Sequence, residues 1–161
     1  ELTGYQGTEG LNTIFSQFDD LSTKYNIEKI KTIGDNYFAV SGLQASGRDS
    51  AVKLINMAQD MITIIKSVND SLSIMNVSLR IGIHTGPIVA GVIGKNKFAY
   101  DLWGATVNMA SRMESSGKKN KIQVSEDTYN IIKEDFDFLK RSKVKIKGIG
   151  FVNTYLITWF I

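Results

Sequence analysis

At 161 residues, 43% hydrophobic and 22% charged, the chain has the composition of one folded domain rather than of a disordered chain. Its 19 basic and 16 acidic side chains leave a formal charge of +3, which suits an anionic ligand but does not call for a nucleic acid. With no cysteine, a disulfide framework and thiolate-bound zinc are excluded, and a reducing compartment is permitted.

No apolar run reaches the roughly 18 residues that a membrane span needs. The start, Glu1-Leu2-Thr3-Gly4, lacks the charged head and apolar stretch of a signal peptide. The end, Tyr155-Leu156-Ile157-Thr158-Trp159-Phe160-Ile161, is an apolar, β-prone run, whereas chain termini tend to be polar. The chain is therefore expected to be a piece of something longer.

The first predicted element is a helix, because Leu11, Ile14, Phe15, Phe18, Leu21 and Tyr25 recur at three- and four-residue steps behind a candidate N-cap at Thr8. Residues 27–33 and 37–41 are rich in β-branched and aromatic side chains and flank Gly34-Asp35-Asn36, the pattern of a β-hairpin. After a loop at 42–48, a long helix is predicted from about Asp49 to Asn69. Strands follow at 77–83 and 88–93, parted by His84-Thr85-Gly86-Pro87, which contains the only proline. A third helix is expected over 105–116, closed by Gly117, then a strand at 122–125, a short helix at 126–132, and strands near 144–146 and 154–157. Helices interspersed with strands and hairpins indicate one α+β domain over 1–161, a ferredoxin-like, antiparallel-rich sheet with helices packed on one face.

Several polar residues stand out against this frame. Asp35 sits on the tight hairpin turn, where a carboxylate suits a hard cation, although aspartate is also a favoured turn residue. Asn108 and Arg112 are four apart on the third helix and so share a face, opposite Met109, Ala110 and Met113. An amide beside a guanidinium can grip a phosphate and a ribose, or simply be solvated. Arg80 interrupts an apolar strand and needs an anionic partner, a carboxylate or a phosphate. Lys31 and Asp101 are similarly placed among apolar neighbours. Lys143, Lys145 and Lys147 alternate along one predicted strand face. Taken singly, none of these identifies a function.

In order along the chain they do. Lys29-Ile30-Lys31-Thr32-Ile33-Gly34-Asp35, Arg80-Ile81-Gly82-Ile83-His84-Thr85-Gly86-Pro87 and Gly91-Val92-Ile93-Gly94 are followed by Tyr100-Asp101-Leu102-Trp103-Gly104. Thr106 to Glu114 then reads Thr-Val-Asn-Met-Ala-Ser-Arg-Met-Glu, with Lys147-Gly148, Gly150 and Thr154-Tyr155 beyond it. This set resembles the class III nucleotidyl cyclase catalytic domain over almost the whole chain, in its adenylyl, homodimer-like form.

The resemblance implies a phosphorus–oxygen lyase of signal transduction. The ribose 3′-oxygen of ATP attacks the α-phosphorus, pyrophosphate leaves, and two Mg2+ or Mn2+ ions per site assist. It implies Asp35 as a metal ligand, and Lys31 and Asp101 as the pair reading the adenine edge. Asn108 would orient the ribose, Arg112 would act at the α-phosphate, and Arg80 and Lys147 would hold the triphosphate. In this family one subunit supplies Asp35 and Arg80 and its partner the rest, so a second cyclase domain, in a homodimer, is the expected partner. His84 matches a structural position rather than a general base.

The family's first metal aspartate lies on an N-terminal Phe-x-Asp-Ile-x-x-Phe-Thr strand, which has no match before Leu11. The domain is accordingly expected to lack that strand and to turn over slowly as it stands. The alternatives are a guanylyl cyclase or a non-catalytic nucleotide-binding half of a heterodimer. The domain is expected to face the cytoplasm without touching a membrane, whether or not its parent is membrane-anchored.

Overall fold

A computed structural model describes residues 1–5, 7–43, 47–71, 76–93 and 99–158, with backbone only at 92, 93 and 99–103. Gly94 of the sequence motifs, part of the 42–48 loop and the terminal Trp159-Phe160-Ile161 lie outside the described residues.

The chain forms β1 (Leu2–Thr3), α1 (Gly7–Tyr25), the hairpin β2 (Glu28–Ile33) and β3 (Asn36–Val40), and α2 (Arg48–Ser71). It continues as β4 (Ser78–Ile83), the hairpin β5 (Val89–Ile93) and β6 (Ala99–Trp103), α3 (Ala105–Ser115) and β7 (Lys121–Ser125). The last part is α4 (Glu126–Ile132), β8 (Phe138–Lys140), the hairpin β9 (Val144–Ile146) and β10 (Gly150–Val152), and β11 (Thr154–Ile157). A five-stranded sheet runs in the order β1-β4-β7-β11-β8, antiparallel except for the β4–β7 pair. Parallel neighbours require a crossover, and here hairpin β5–β6 and α3 provide it.

Helix α2 is the spine of the core. Its residues Met57, Met61 and Ile65 join Leu11, Ile14, Phe15 and Phe18 of α1 with Leu2, Val77 and Leu79 in one buried cluster. Its residues Ala51, Ile55 and Ala58 join Ile83, Ile122, Val124, Ile132, Tyr155 and Ile157 in a second. The spacing explains the division, since steps of three and four set two adjoining stripes on a single helix. Phe18 is completely buried, which stabilises the fold by about 1.5–3 kcal/mol relative to an exposed ring.

The α+β class is as expected, and one-face packing holds for α1, α2 and α4. Helix α3 is the exception. Leu79, Ile81 and Ile83 of β4 point into the clusters under α2. Alternation turns Arg80 and Gly82 to the other face, where a Cβ built on Gly82 would meet the backbone of Met113 and Glu114 in α3. Gln123 of β7 likewise turns to α3, donating to the Met113 carbonyl.

Other differences are local. Helix α1 begins at Gly7, ahead of the expected cap at Thr8. Helix α3 stops at Ser115, and its C-cap is Ser116 in a right-handed conformation rather than Gly117. Strands β1, β8 and β10 are each only two or three residues long, too short for a period-two pattern to register. Because β9 ends at Ile146, only Lys145 of the three alternating lysines lies in a strand.

Candidate active site

Gly34 takes φ +59 in the β2–β3 turn, a backbone region that residues with a Cβ rarely enter, and so sets Asp35 at the hairpin tip. The pairing register slips between Lys29 and Lys31, an irregularity that re-aims side chains. Lys29 turns back to Asp19 of α1, 3.0 Å away, and Asp19 also accepts from the Tyr37 hydroxyl at 2.7 Å. Burial, and secondarily Asp19, push the Tyr37 phenol well above its usual range, so it stays a donor. This anchor ties both hairpin strands to α1. Lys31 instead lines a cavity.

Strand β1 joins the hairpin tip to β4. The Leu2 amide donates to the Asp35 carbonyl at 3.0 Å, and the Arg80 amide to the Glu1 carbonyl at 3.0 Å. Two carboxylates meet the guanidinium of Arg80: Glu114 Oε1 accepts from Nε at 2.7 Å and Glu1 Oε2 from Nη2 at 3.3 Å. The bond to Glu114 raises the Arg80 pKa further above its ordinary value. The anionic partner anticipated for Arg80 is thus, within this chain, a carboxylate pair.

A cavity of about 340 Å3 lies between β3, β4, α2 and α3. Glu1, Lys31, Arg80 and Asn108 stand among its lining residues, while Leu54, Met57, Met61, Ile81 and Ile83 make much of it apolar. A triphosphate would lose its hydration against such a wall, so charge belongs at the polar rim. The structure therefore brings Lys31, Arg80 and Asn108 around one cavity and Asp35 to its neighbourhood through β1.

Arg112 is exposed on α3, one turn beyond exposed Asn108. Asp101 stands on β6 opposite Gly91 of β5; its side chain lies outside the described residues. Lys147 is exposed in the turn between β9 and β10. Arg112 and Lys147 are not among the described residues that line the cavity.

Glu1 was not foreseen as a site residue. Nothing in the local pattern around Glu1-Leu2-Thr3 marks a strand, and only its long-range pairing to β4 reveals it. Among the described residues, no three His, Asp or Glu side chains converge as a ready metal cage. The Glu1 carboxylate is engaged by Arg80. Asp35, by contrast, presents a hard carboxylate on a tight turn, which suits a magnesium-type ion, since such an ion takes one or two carboxylates and completes its shell with phosphate and water.

His84 also lines the cavity, yet its Nδ1 is 2.6 Å from Ser125 Oγ, the N-cap of α4. Burial lowers its pKa, with partial opposition from Asp127. A neutral imidazole joined to a helix cap matches the structural role expected of it.

The family model for the adenylate and guanylate cyclase catalytic domain matches residues 1–159. The chain is 45% identical over 157 residues to adenylate cyclase type 9 of Gallus gallus, covering 91% of the chain and 12% of that protein. It therefore spans only about an eighth of that relative's length. The guanylate cyclase domain of RhGC from Catenaria anguillulae, solved in complex with GTP, is 34% identical with a TM-score of 0.86, covering 95% of this chain and 86% of that one. A non-canonical dimeric guanylyl cyclase domain of the RhoGC fusion protein from Blastocladiella emersonii is 34% identical with a TM-score of 0.82, covering 94% and 85%.

Proposed function

Because the chain belongs to the adenylate and guanylate cyclase catalytic domain family, we propose that it converts ATP to 3′,5′-cyclic AMP and pyrophosphate at sites shared between two copies. The observation that carries ATP over GTP is the pairing of a lysine at position 31 with an aspartate at position 101. Adenine presents a ring-nitrogen acceptor beside an exocyclic amine donor, which calls for a protein donor and a protein acceptor. Lysine only donates and ionised aspartate only accepts, so the two side chains match adenine and oppose guanine.

In the reaction the ribose 3′-oxygen forms a bond to the α-phosphorus as the bond to the pyrophosphate oxygen breaks, and the hydroxyl proton passes to solvent. Asn108 orients the ribose by hydrogen bonding. Arg112 stabilises negative charge on the equatorial oxygens of the crowded phosphorus. Arg80 and Lys147 neutralise the triphosphate and the departing pyrophosphate. A divalent ion held by Asp35 would supply Lewis-acid activation of the attacking oxygen and further charge neutralisation.

Two copies are needed for a simple reason. Arg112 and Lys147 are exposed and away from the cavity around which Arg80 and Glu1 sit. A second copy, related by a two-fold axis, can present its own α3 and β9–β10 turn to the first copy's Asp35 and Arg80.

The test is product identity. With manganese and either nucleotide, cyclic AMP is expected to exceed cyclic GMP, separated by chromatography. Lys31→Glu combined with Asp101→Cys should shift the ATP-to-GTP ratio of kcat/KM by more than about tenfold, as one misplaced polar contact in a base-reading pocket does. Preferential cyclic GMP from the unsubstituted chain, or an unmoved ratio in the double variant, would sink the base assignment.

A further inference from the structure

Helix α3 carries the proposed ribose and phosphate contacts, and its last turn is held by a hydrogen-bonded chain that reaches it from the sheet. Gln123 of β7 is completely buried, and its Nε2 donates to the Met113 carbonyl and to Ser116 Oγ, both at 2.9 Å. Its Oε1 accepts from Arg141 Nη1, and the same nitrogen donates to the Ser116 carbonyl at 2.8 Å. The amide cannot turn over, because a carbonyl can only accept and a guanidinium can only donate. Ser116 passes the restraint on, since its amide donates to the Arg112 carbonyl at 3.0 Å and its hydroxyl to the same oxygen at 2.6 Å.

Two of these links reach open carbonyls at the end of the helix, those of Met113 and Ser116, and the Ser116 hydroxyl reinforces the backbone bond at the Arg112 carbonyl. The Arg141 cation also sits at the negative end of the helix dipole. Arg141 is half-buried and follows β8, on an element that contributes nothing to the cavity.

We propose that Gln123 and Arg141 are positioning residues for the cyclisation, fixing the last turn of α3 so that Arg112 is aimed at the reacting phosphate. This rests on the role given to Arg112 above. Neither residue touches substrate. Their effect passes through the Arg112 backbone.

The test is a double-mutant cycle in the full chain, with Arg141→Met chosen because Gln123 is too deeply buried to replace safely. Arg141→Met should lower kcat about ten- to a hundredfold, the cost of a misplaced catalytic group, with KM for the nucleotide within twofold. Arg141→Lys, which can still donate to a carbonyl, should restore much of the loss. Amide hydrogen exchange over 112–117 should quicken in Arg141→Met and not elsewhere in the sheet.

In an Arg112→Ala background, adding Arg141→Met should change kcat no further. An equal loss in both backgrounds, or a kcat that does not move, overturns the positioning role while leaving the site reading intact. An Arg112→Ala variant whose kcat stays within about threefold of wild type overturns both at once and is recognised by that single variant.

Discussion

Arg112→Ala is expected to lower kcat by about 100- to 1000-fold, the range seen when one preorganised donor is removed from a developing negative charge. The KM for the nucleotide should change only a few-fold, because the contact strengthens as charge accumulates rather than on binding. Stability should hardly respond. Arg112 is exposed on the last turn of α3, where a cation is worth about 0.3–1 kcal/mol through the helix dipole. Lysine at this place should rescue poorly, since a point charge does not reproduce the planar fork of donors. Steady-state kinetics beside an unfolding midpoint separate the two effects. The same variant examines the shared site. Mixed with Asp35→Asn copies, Arg112→Ala copies should recover about a quarter of wild-type turnover, because half the dimers then carry one site with both residues intact. Turnover of Arg112→Ala within threefold of wild type would remove this residue from the mechanism, and failure of the mixture to recover would remove the exchange of residues between copies.

How much of this could be read from the sequence follows from the range of the interactions. The stripe from Leu11 to Phe18 and the turn at Gly34-Asp35 are local periodicities, and the structure has α1 and the β2–β3 hairpin there. The helix bearing Asn108 and Arg112 was legible for the same reason, to within a residue at its end. What the sequence did not disclose is pairing at a distance. Arg80 finds Glu114 34 residues on and Glu1 79 residues back, and no spacing rule encodes either. Gln123 reads as one polar residue in a strand, yet it is wholly buried beneath the end of α3 with Arg141 against it. The family resemblance named the groups expected to touch nucleotide. The groups that hold them in place emerged only from the fold.

Gly82→Ala is expected to be severely damaging for so small a substitution. An added Cβ would lie 2.0 Å from the Glu114 amide nitrogen, 2.5 Å from the Met113 carbonyl carbon and 2.6 Å from the Glu114 Cα. All three are backbone atoms, so no side-chain rotation relieves the clash and α3 must move off β4. Alanine in a strand would otherwise help, by about 0.4–1 kcal/mol through the unfolded chain. Overpacking costs typically 1–3 kcal/mol and more where the obstacle is rigid, so the clash wins. A displaced α3 pulls Glu114 from Arg80 and carries Asn108 and Arg112 with it, so turnover should fall further than the unfolded fraction explains. Gly34→Ala is the control: its φ of +59 also disfavours a side chain, but nothing lies within 4 Å of the added atom. That change should cost only about 1 kcal/mol of left-handed backbone strain. Chemical denaturation of the two variants beside wild type decides the matter. Should Gly82→Ala prove as stable as Gly34→Ala, the close seat of α3 on β4 is wrong, and with it the account of how one helix presents both of its polar side chains to the nucleotide.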